Sequence, residues 1–444
     1  MEPEKTLQHR FYGKSIPLGS IDKAMANLDV RACFTVAQAL EDFSKIIVDV
    51  KKKFSTPNSS VIVIGGSYGG MLAIWFRLKY PHVTIGALAS SAPLLDFGAI
   101  PPKDQYCSVV SQDFKDQSQK CYDTIRQSWA VIDSMSSKSS GLADLSRTFN
   151  TCSPLYSGED LKLYLASAYY FAAQYNGRFG YWINILCDKI VNPPTDDIIL
   201  AISRAAYVFA GSYCNNLVSP LEPSPGLDEA SSIAWSWQSC KEIILPMGCG
   251  NNTMFEPNPY SLAKQLEDCE QMYGPYGANP HWKSAFYRGQ DVKSALRKFG
   301  RNIIFSNGLI DPYSRVGILE DLSKTIAALT TKEGSHCLDL TSAQSNDPNW
   351  LKDQRRKEVD IFKSWIHASD SSNVNPDAMA HICLMAAPLH RRAKVVMIPT
   401  LSKKKRSIPP LLDHGVCFWG FASPSLDLCG YCMAMVNHCA LQLE

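Results

Sequence analysis

The sequence predicts an α/β protein interrupted by a long helical insertion, and three observations carry that expectation. Residues 61–91 read as strand, tight turn, helix and strand, the βαβ rhythm of a largely parallel sheet. From about Tyr106 to Lys298 strand-like runs are scarce, and helical stretches alternate with cysteines and Pro/Ser-rich loops. The β pattern then returns at Asn302-Ile303-Ile304-Phe305.

Each element follows from local pattern. Residues 33–53 repeat apolar side chains at helical spacing and read as a helix. Val61-Ile62-Val63-Ile64 is a short β-branched run, as a strand buried on both faces requires. The segment from Met71 to Leu78 is a helix that closes before Pro81, and Ile85 to Ser91 reads as the next strand. Within the insertion, Ser219-Pro220-Leu221-Glu222-Pro223-Ser224-Pro225 is a loop. A strand is expected near residues 326–329, and a helix at about 351–367 closes the second part of the sheet domain. The expected units are therefore 1–104, a helical cap over 105–298, 299–372, and a tail over 373–444 to which no fold is assigned. No internal repeat is visible.

Composition narrows the function classes. At 444 residues there is room for about three average domains or one large enzyme with an insertion. With 44 basic and 42 acidic residues the net charge is +2, which argues against a surface built for nucleic acid. The hydrophobic share of 45% against 19% charged is enough for a sizeable core. Met1-Glu2-Pro3-Glu4-Lys5 opens with charge and no apolar run follows, so no signal peptide is expected. Residues 58–76, within the longest uncharged stretch, carry four glycines and make a poor membrane span. Eight of the fifteen cysteines fall in the insertion: Cys107, Cys121, Cys152, Cys187, Cys214, Cys240, Cys249 and Cys269. Such clustering suggests four disulfides and an oxidising compartment, against the alternative of eight buried thiols acting as small hydrophobes. The sequons at Asn58 and Asn251 add a weak hint of glycosylation in the same direction.

The chemistry begins at Gly65-Gly66-Ser67-Tyr68-Gly69, a G-x-S-x-G sequence between a β-branched strand and a helix. In the α/β-hydrolase fold this turn lifts the serine hydroxyl above the sheet edge, and the flanking glycines remove side chains that would collide there. A phosphate-binding turn would need G-x-G-x-x-G or GK[ST], and neither is present. A serine needs a histidine base oriented by a carboxylate, in chain order Ser, acid, His. Ser306-Asn307-Gly308-Leu309-Ile310-Asp311-Pro312 follows a strand and offers Asp311. Asp321 falls in what reads as the following helix and is expected on a solvated face. His336, in Glu333-Gly334-Ser335-His336-Cys337, follows the next strand and comes after both partners. This chemistry requires neither a cofactor nor a metal.

These residues also carry a resemblance. Gly-Gly-Ser-Tyr-Gly-Gly-Met at 65–71, the Ser306–Pro312 segment and Gly-Ser-His-Cys-Leu-Asp-Leu at 334–340 resemble the prolylcarboxypeptidase and dipeptidyl peptidase II family of serine peptidases. His9-Arg10-Phe11-Tyr12-Gly13-Lys14-Ser15, Trp235-Ser236-Trp237-Gln238-Ser239-Cys240 and Met254-Phe255-Glu256-Pro257 fit the same family, so the likeness covers roughly residues 8–366. It implies an α/β-hydrolase core with a disulfide-rich helical cap, and a triad of Ser67, Asp311 and His336 with the Tyr68 backbone N–H as one oxyanion donor. It also implies cleavage of short peptides beside proline, in a pocket at Met71, Met247 and Tyr313. The bridges it implies pair Cys107 with Cys249, Cys121 with Cys187, Cys152 with Cys214 and Cys240 with Cys269. It places the protein in the secretory pathway, lysosomal, vacuolar or extracellular, and leaves room for a homodimer.

The chain departs from the family pattern in places. Family members carry a signal peptide and several strands before the motif that begins here at His9, so an uncovered sheet edge and the loss of the second oxyanion donor are expected. Gln8 stands where the family usually has Glu, and Cys337 where a second His is common. Nothing after about Asn373 resembles the family. In the tail, Cys429, Cys432, His438 and Cys439 lack a second well-spaced ligand pair, so no metal site is expected, and Lys403-Lys404-Lys405-Arg406 reads as a solvated basic run. Two rival readings remain: a catalytically dead remnant that only binds, and an esterase on the same core.

Overall fold

The computed structural model describes residues 7–95 and 104–372, except 179, 211–212, 218–228 and 275–290, together with the backbone of short strands within 380–441. The elements before the cap are β1 (Leu7–Gln8), α1 (Ile21–Ala26), α2 (Leu28–Ala32), α3 (Val36–Lys53), β2 (Val61–Gly66), α4 (Tyr68–Lys79) and β3 (Gly86–Ser90). The cap carries α5 (Gln105–Gln117), α6 (Gln119–Ser136), α7 (Gly141–Thr148), α8 (Gly158–Gln174), α9 (Trp182–Val191), α10 (Ile198–Ala210), α11 (Glu229–Lys241) and α12 (Leu262–Tyr273). Then follow α13 (Val292–Phe299), β4 (Ile303–Gly308), β5 (Ile326–Thr331), α14 (Asn349–Ser372), β6 (Ala380–Ala386), β7 (Val395–Pro399) and β8 (Ala440–Leu441).

The central sheet has the order β5-β4-β3-β2-β6-β7, parallel throughout except for β7. Every residue of β2 and β3 is buried, which is why these strands read as unbroken apolar runs. Strand alternation still sorts the two faces. Val61 and Val63 face the cluster under α3 and α4 with Phe43, Ile47, Trp75 and Phe76, whereas Ile62 and Ile64 meet Leu88, Ile304 and Trp365 under α14. The helix read from residue 33 begins at Val36, because Thr35 is its cap and accepts the Gln38 N–H through its side chain. Lys51, Lys52 and Lys53 close α3 where the helix dipole favours positive charge.

The cap packs α5 to α10 around its own apolar cluster, and Tyr313 and Val316 from the loop after β4 enter that cluster from below. Four disulfides join Cys107 to Cys249, Cys121 to Cys187, Cys152 to Cys214 and Cys240 to Cys269, the pairs that the resemblance implies. Lys162, almost fully buried, is held by Asp133, Glu159 and Glu256, so its charge is compensated by three carboxylates.

Two expectations are corrected. The β2 edge is not bare: β6 from the tail pairs with it in parallel register, Val61 opposite Ile382, so a segment given no fold supplies a strand. Asp321 is not helical; it lies in the connection before β5, where its Oδ1 accepts the Ala328 N–H at 2.7 Å. The Ser219–Pro225 loop, the Lys403–Arg406 run and the Cys429, Cys432, His438 and Cys439 set lie outside the described residues. No helix among the described residues is long and apolar enough to cross a membrane.

Candidate active site

The three loops that follow β2, β4 and β5 open at the same edge of the sheet, because parallel neighbours end on the same side. Ser67 sits at φ 56°, ψ −126°, a strained conformation for a residue with a side chain, at the turn between β2 and α4. The turn closes only because Gly65 has no Cβ: one there would collide with the Gly69 carbonyl. The Ser67 N–H donates to the Ser90 carbonyl at 2.8 Å, tying the turn to β3. Tyr68 opens α4, so its N–H belongs to the first helical turn, whose donors have no partner four residues back.

Asp311 and His336 are both fully buried, and Asp311 Oδ2 meets His336 Nδ1 at 2.9 Å. The other carboxylate oxygen accepts the Tyr313 N–H at 3.0 Å, which fixes the rotamer of Asp311. Gly308 lets the two loops approach, since a Cβ there would strike the Gly334 backbone. Burial alone disfavours the imidazolium, yet the adjoining Asp311 charge outweighs it and raises the His336 pKa. Ser67 Oγ and His336 Nε2 are both buried, and neither makes a hydrogen bond among the described residues, with each other included. They are the two atoms that a proton transfer from serine to histidine would join.

Residues without a local sequence signal complete the site. The His336 N–H donates to the Gln174 carbonyl at 3.0 Å, so the last residue of cap helix α8 anchors a core loop. The Tyr175 ring stands edge-on to the imidazole at 6.2 Å, and the Tyr313 ring lies 5.3 Å from it. Behind the histidine loop, Cys337 N–H donates to Ser91 Oγ at 2.9 Å and Ser90 Oγ donates to Asp339 at 2.5 Å. Ser306 Oγ donates to Glu358 at 2.7 Å, and burial raises the pKa of both Asp339 and Glu358. Beside the nucleophile, Gln238 donates to the Tyr68 hydroxyl and accepts from Tyr12 OH at 2.6 Å, so the motifs at 9–15 and 235–240 meet at Tyr68.

Of the expected pocket residues, Tyr313 and Met247 come together, the hydroxyl 4.0 Å from the thioether sulfur, and Met247 is 42% exposed. Met71 is fully buried in the cluster between α4 and the sheet. No group of three or more His, Cys, Asp or Glu side chains among the described residues is arranged to hold a metal ion.

Comparison with known proteins identifies the relatives of the chain. The chain is 36% identical over 380 residues to the lysosomal Pro-X carboxypeptidase of Mus musculus, covering 81% of this chain and 74% of that protein. The orangutan (Pongo abelii) lysosomal Pro-X carboxypeptidase matches at 35% over 379 residues, with the same shares. Prolyl carboxy peptidase like protein 5 of Caenorhabditis elegans matches at 28% over 394 residues, 81% of this chain and 76% of that protein. The family model described as serine carboxypeptidase S28 matches residues 5–358, and the chain belongs to that family of serine peptidases.

Proposed function

We propose that the protein is a serine exopeptidase that cleaves short peptides beside proline, with Ser67 as nucleophile, His336 as base and Asp311 as the carboxylate that orients it. The buried Asp311–His336 pair at the rim shared with the strained Ser67 turn carries this reading. Ser67 Oγ attacks the carbonyl carbon of a prolyl residue while its proton passes to His336 Nε2. The developing oxyanion takes the Tyr68 N–H. The peptide C–N bond then breaks, with His336 returning the proton to the leaving amine. Water, deprotonated by the same nitrogen, hydrolyses the acyl ester and frees Ser67. Tyr313 and Met247 supply an aromatic face and a soft thioether beside the imidazole, which suit a pyrrolidine ring. Met71 backs the nucleophile helix from the core side.

Four disulfides and the exposed sequon residues Asn58 and Asn251 support passage through the secretory pathway, in keeping with the lysosomal relatives. A fluorophosphonate probe tests the mechanism. It is expected to label the purified protein, and Ser67→Ala to abolish labelling together with release of the residue after proline from an N-blocked peptide. Labelling that survives the substitution overturns the assignment. Turnover of simple esters with no preference for proline overturns the substrate class.

A further inference from the structure

Resting on the peptidase reading above, we propose that Gln174 and Tyr106 of the cap are positioning residues for the reaction: through one buried side-chain amide they hold the base His336 and the pocket residue Tyr313 in a single register. The side chains form a closed circuit. Gln174 ends α8 and Tyr106 stands in the first turn of α5, so the two come from different cap helices. The Tyr106 hydroxyl donates to Gln174 Oε1 at 3.0 Å, and Gln174 Nε2 donates to the Tyr175 hydroxyl at 2.8 Å. From Tyr175 the circuit passes edge-on to the His336 imidazole at 6.2 Å, and from there to the Tyr313 ring at 5.3 Å. It closes where the Tyr106 ring meets Tyr313 edge-on, with centroids 5.0 Å apart. Two backbone donors brace it, the His336 N–H on the Gln174 carbonyl and the Tyr313 N–H on Asp311 Oδ1, each at 3.0 Å.

The amide does what ring packing alone cannot. An edge-to-face contact sets a distance loosely, whereas a hydroxyl bonded at both ends of one amide is also fixed in direction. Glutamine offers an acceptor and a donor on one planar group, so it can take one tyrosine on each side. Tyr106, Gln174, Tyr175, Tyr313 and His336 are all buried, so neither hydroxyl can turn to bulk water when the amide is lost.

Tyr106 also refers the second pocket residue to the same frame. Its neighbour Cys107 is bridged to Cys249, two residues past Met247, and the Met247 sulfur lies 4.0 Å from the Tyr313 hydroxyl. Both side chains offered to the pyrrolidine ring are therefore placed relative to Tyr106, one by ring contact and one through a covalent link. The pocket must set the scissile carbonyl where Ser67 attacks, and His336 must stand where it takes the serine proton. A displacement of about 1 Å between two such groups can cost about 100-fold in rate. One shared support makes the two placements interdependent, so recognition of proline and activation of the serine should change together.

The test reads three quantities on the full chain: the fraction of molecules that a fluorophosphonate labels, the labelling rate per reactive site, and the kcat/KM ratio for N-blocked prolyl-phenylalanine over alanyl-phenylalanine. Gln174→Met keeps the length and the backbone carbonyl but makes neither side-chain hydrogen bond. It should lower the labelling rate and the proline-over-alanine ratio by about 10–100-fold each, with the labelled fraction unchanged. Tyr106→Phe and Tyr175→Phe keep the rings and should show smaller losses on the same two readouts; they carry the test if Gln174→Met does not fold. Adding Tyr106→Phe to Gln174→Met should cost little more, because the hydroxyl has already lost its acceptor. A lower labelled fraction or melting temperature with the rate per site and the ratio unchanged overturns the proposal, since that is the mark of a structural role alone. Additive losses in the double variant overturn it as well. Failure of the underlying peptidase reading shows differently, as a wild-type chain that cleaves neither substrate and takes no fluorophosphonate.

Discussion

The core and the cap of this molecule are stabilised in opposite ways. The core around β2, β3 and β4 is a ladder of buried parallel strands whose rim is tied by hydroxyl–carboxyl contacts, Ser90 to Asp339 and Ser306 to Glu358. The cap is all helical among its described residues and carries all four bridges, closing sequence separations of 142, 66, 62 and 29 residues. A parallel sheet satisfies its backbone against neighbours far apart in sequence, so its geometry is over-determined at the strand ends. A stack of short helices shares no such ladder and gains more from covalent limits on the unfolded chain. The two regions meet where Gln174 and Tyr175, at the end of α8, lean on the loop that carries His336, and under the proposed function the strand ends supply the chemistry.

Asp311→Asn is the most severe way to break this division of labour. It leaves the shape of the core but removes the charge that holds His336 in register, so kcat should fall by about 10⁴-fold with a melting temperature near that of wild type. A loss of folding in step with activity would mean that the pair serves stability more than chemistry. The next test lies on the cap side. Replacing Cys107 and Cys249 by serine removes the longest covalent link and should reduce unfolding stability by about 2–5 kcal/mol, read by denaturant titration. Amide exchange should rise first in α5 to α10 and last in β2 to β4. Uniform exchange would show that the two regions unfold as one.

The mildest test sits where the regions touch. Glu242, just past α11, is buried and accepts the Val36 N–H at the start of α3 at 2.8 Å. Burial pushes its pKa up to about 7 against the opposing Val36 hydrogen bond. The folded state therefore holds a proton that the unfolded chain releases near 4.5, and the stability linked to it is fully present below that value and lost as pH rises towards 7. Over that interval the linkage is worth about 3 kcal/mol. Glu242→Gln keeps the acceptor and should flatten stability against pH by about one proton, measured by melts between pH 4 and 8. An unchanged slope would place the titration elsewhere. His9 works in the opposite sense: burial lowers it to about 4, so its contribution grows as pH rises from there towards 6.5.

How much of this was legible depended on distance along the chain. Ser67 was legible because a nucleophile turn writes its demands locally: a β-branched strand before it, and a glycine at 65 where a Cβ would meet the Gly69 carbonyl. Asp311 and His336 were legible because each follows its own strand in a fixed chain order. Asp321 was misread because apolar residues around it imitate a helical period, while the backbone there turns to let its carboxylate take the Ala328 N–H. Gln174 left no trace at all, since its hold on the His336 N–H runs through a backbone carbonyl that any residue could present. The strand in the tail was missed because pairing with β2 depends on what the sheet edge offers and not on a pattern within the tail.

The sequence by itself determined the order of the chemistry along the chain, the division into strand-bearing and helical stretches, and the residue types that a serine nucleophile needs. These are short-range properties, written in turns, branching and spacing. The tertiary structure alone decided that the end of cap helix α8 holds the histidine loop, that Tyr313 and Met247 meet, and that the β2 edge is covered by residues more than three hundred positions away. Those outcomes depend on burial and on hydrogen-bond partners brought together by packing, where a contact's energy is set by what lies opposite it in space.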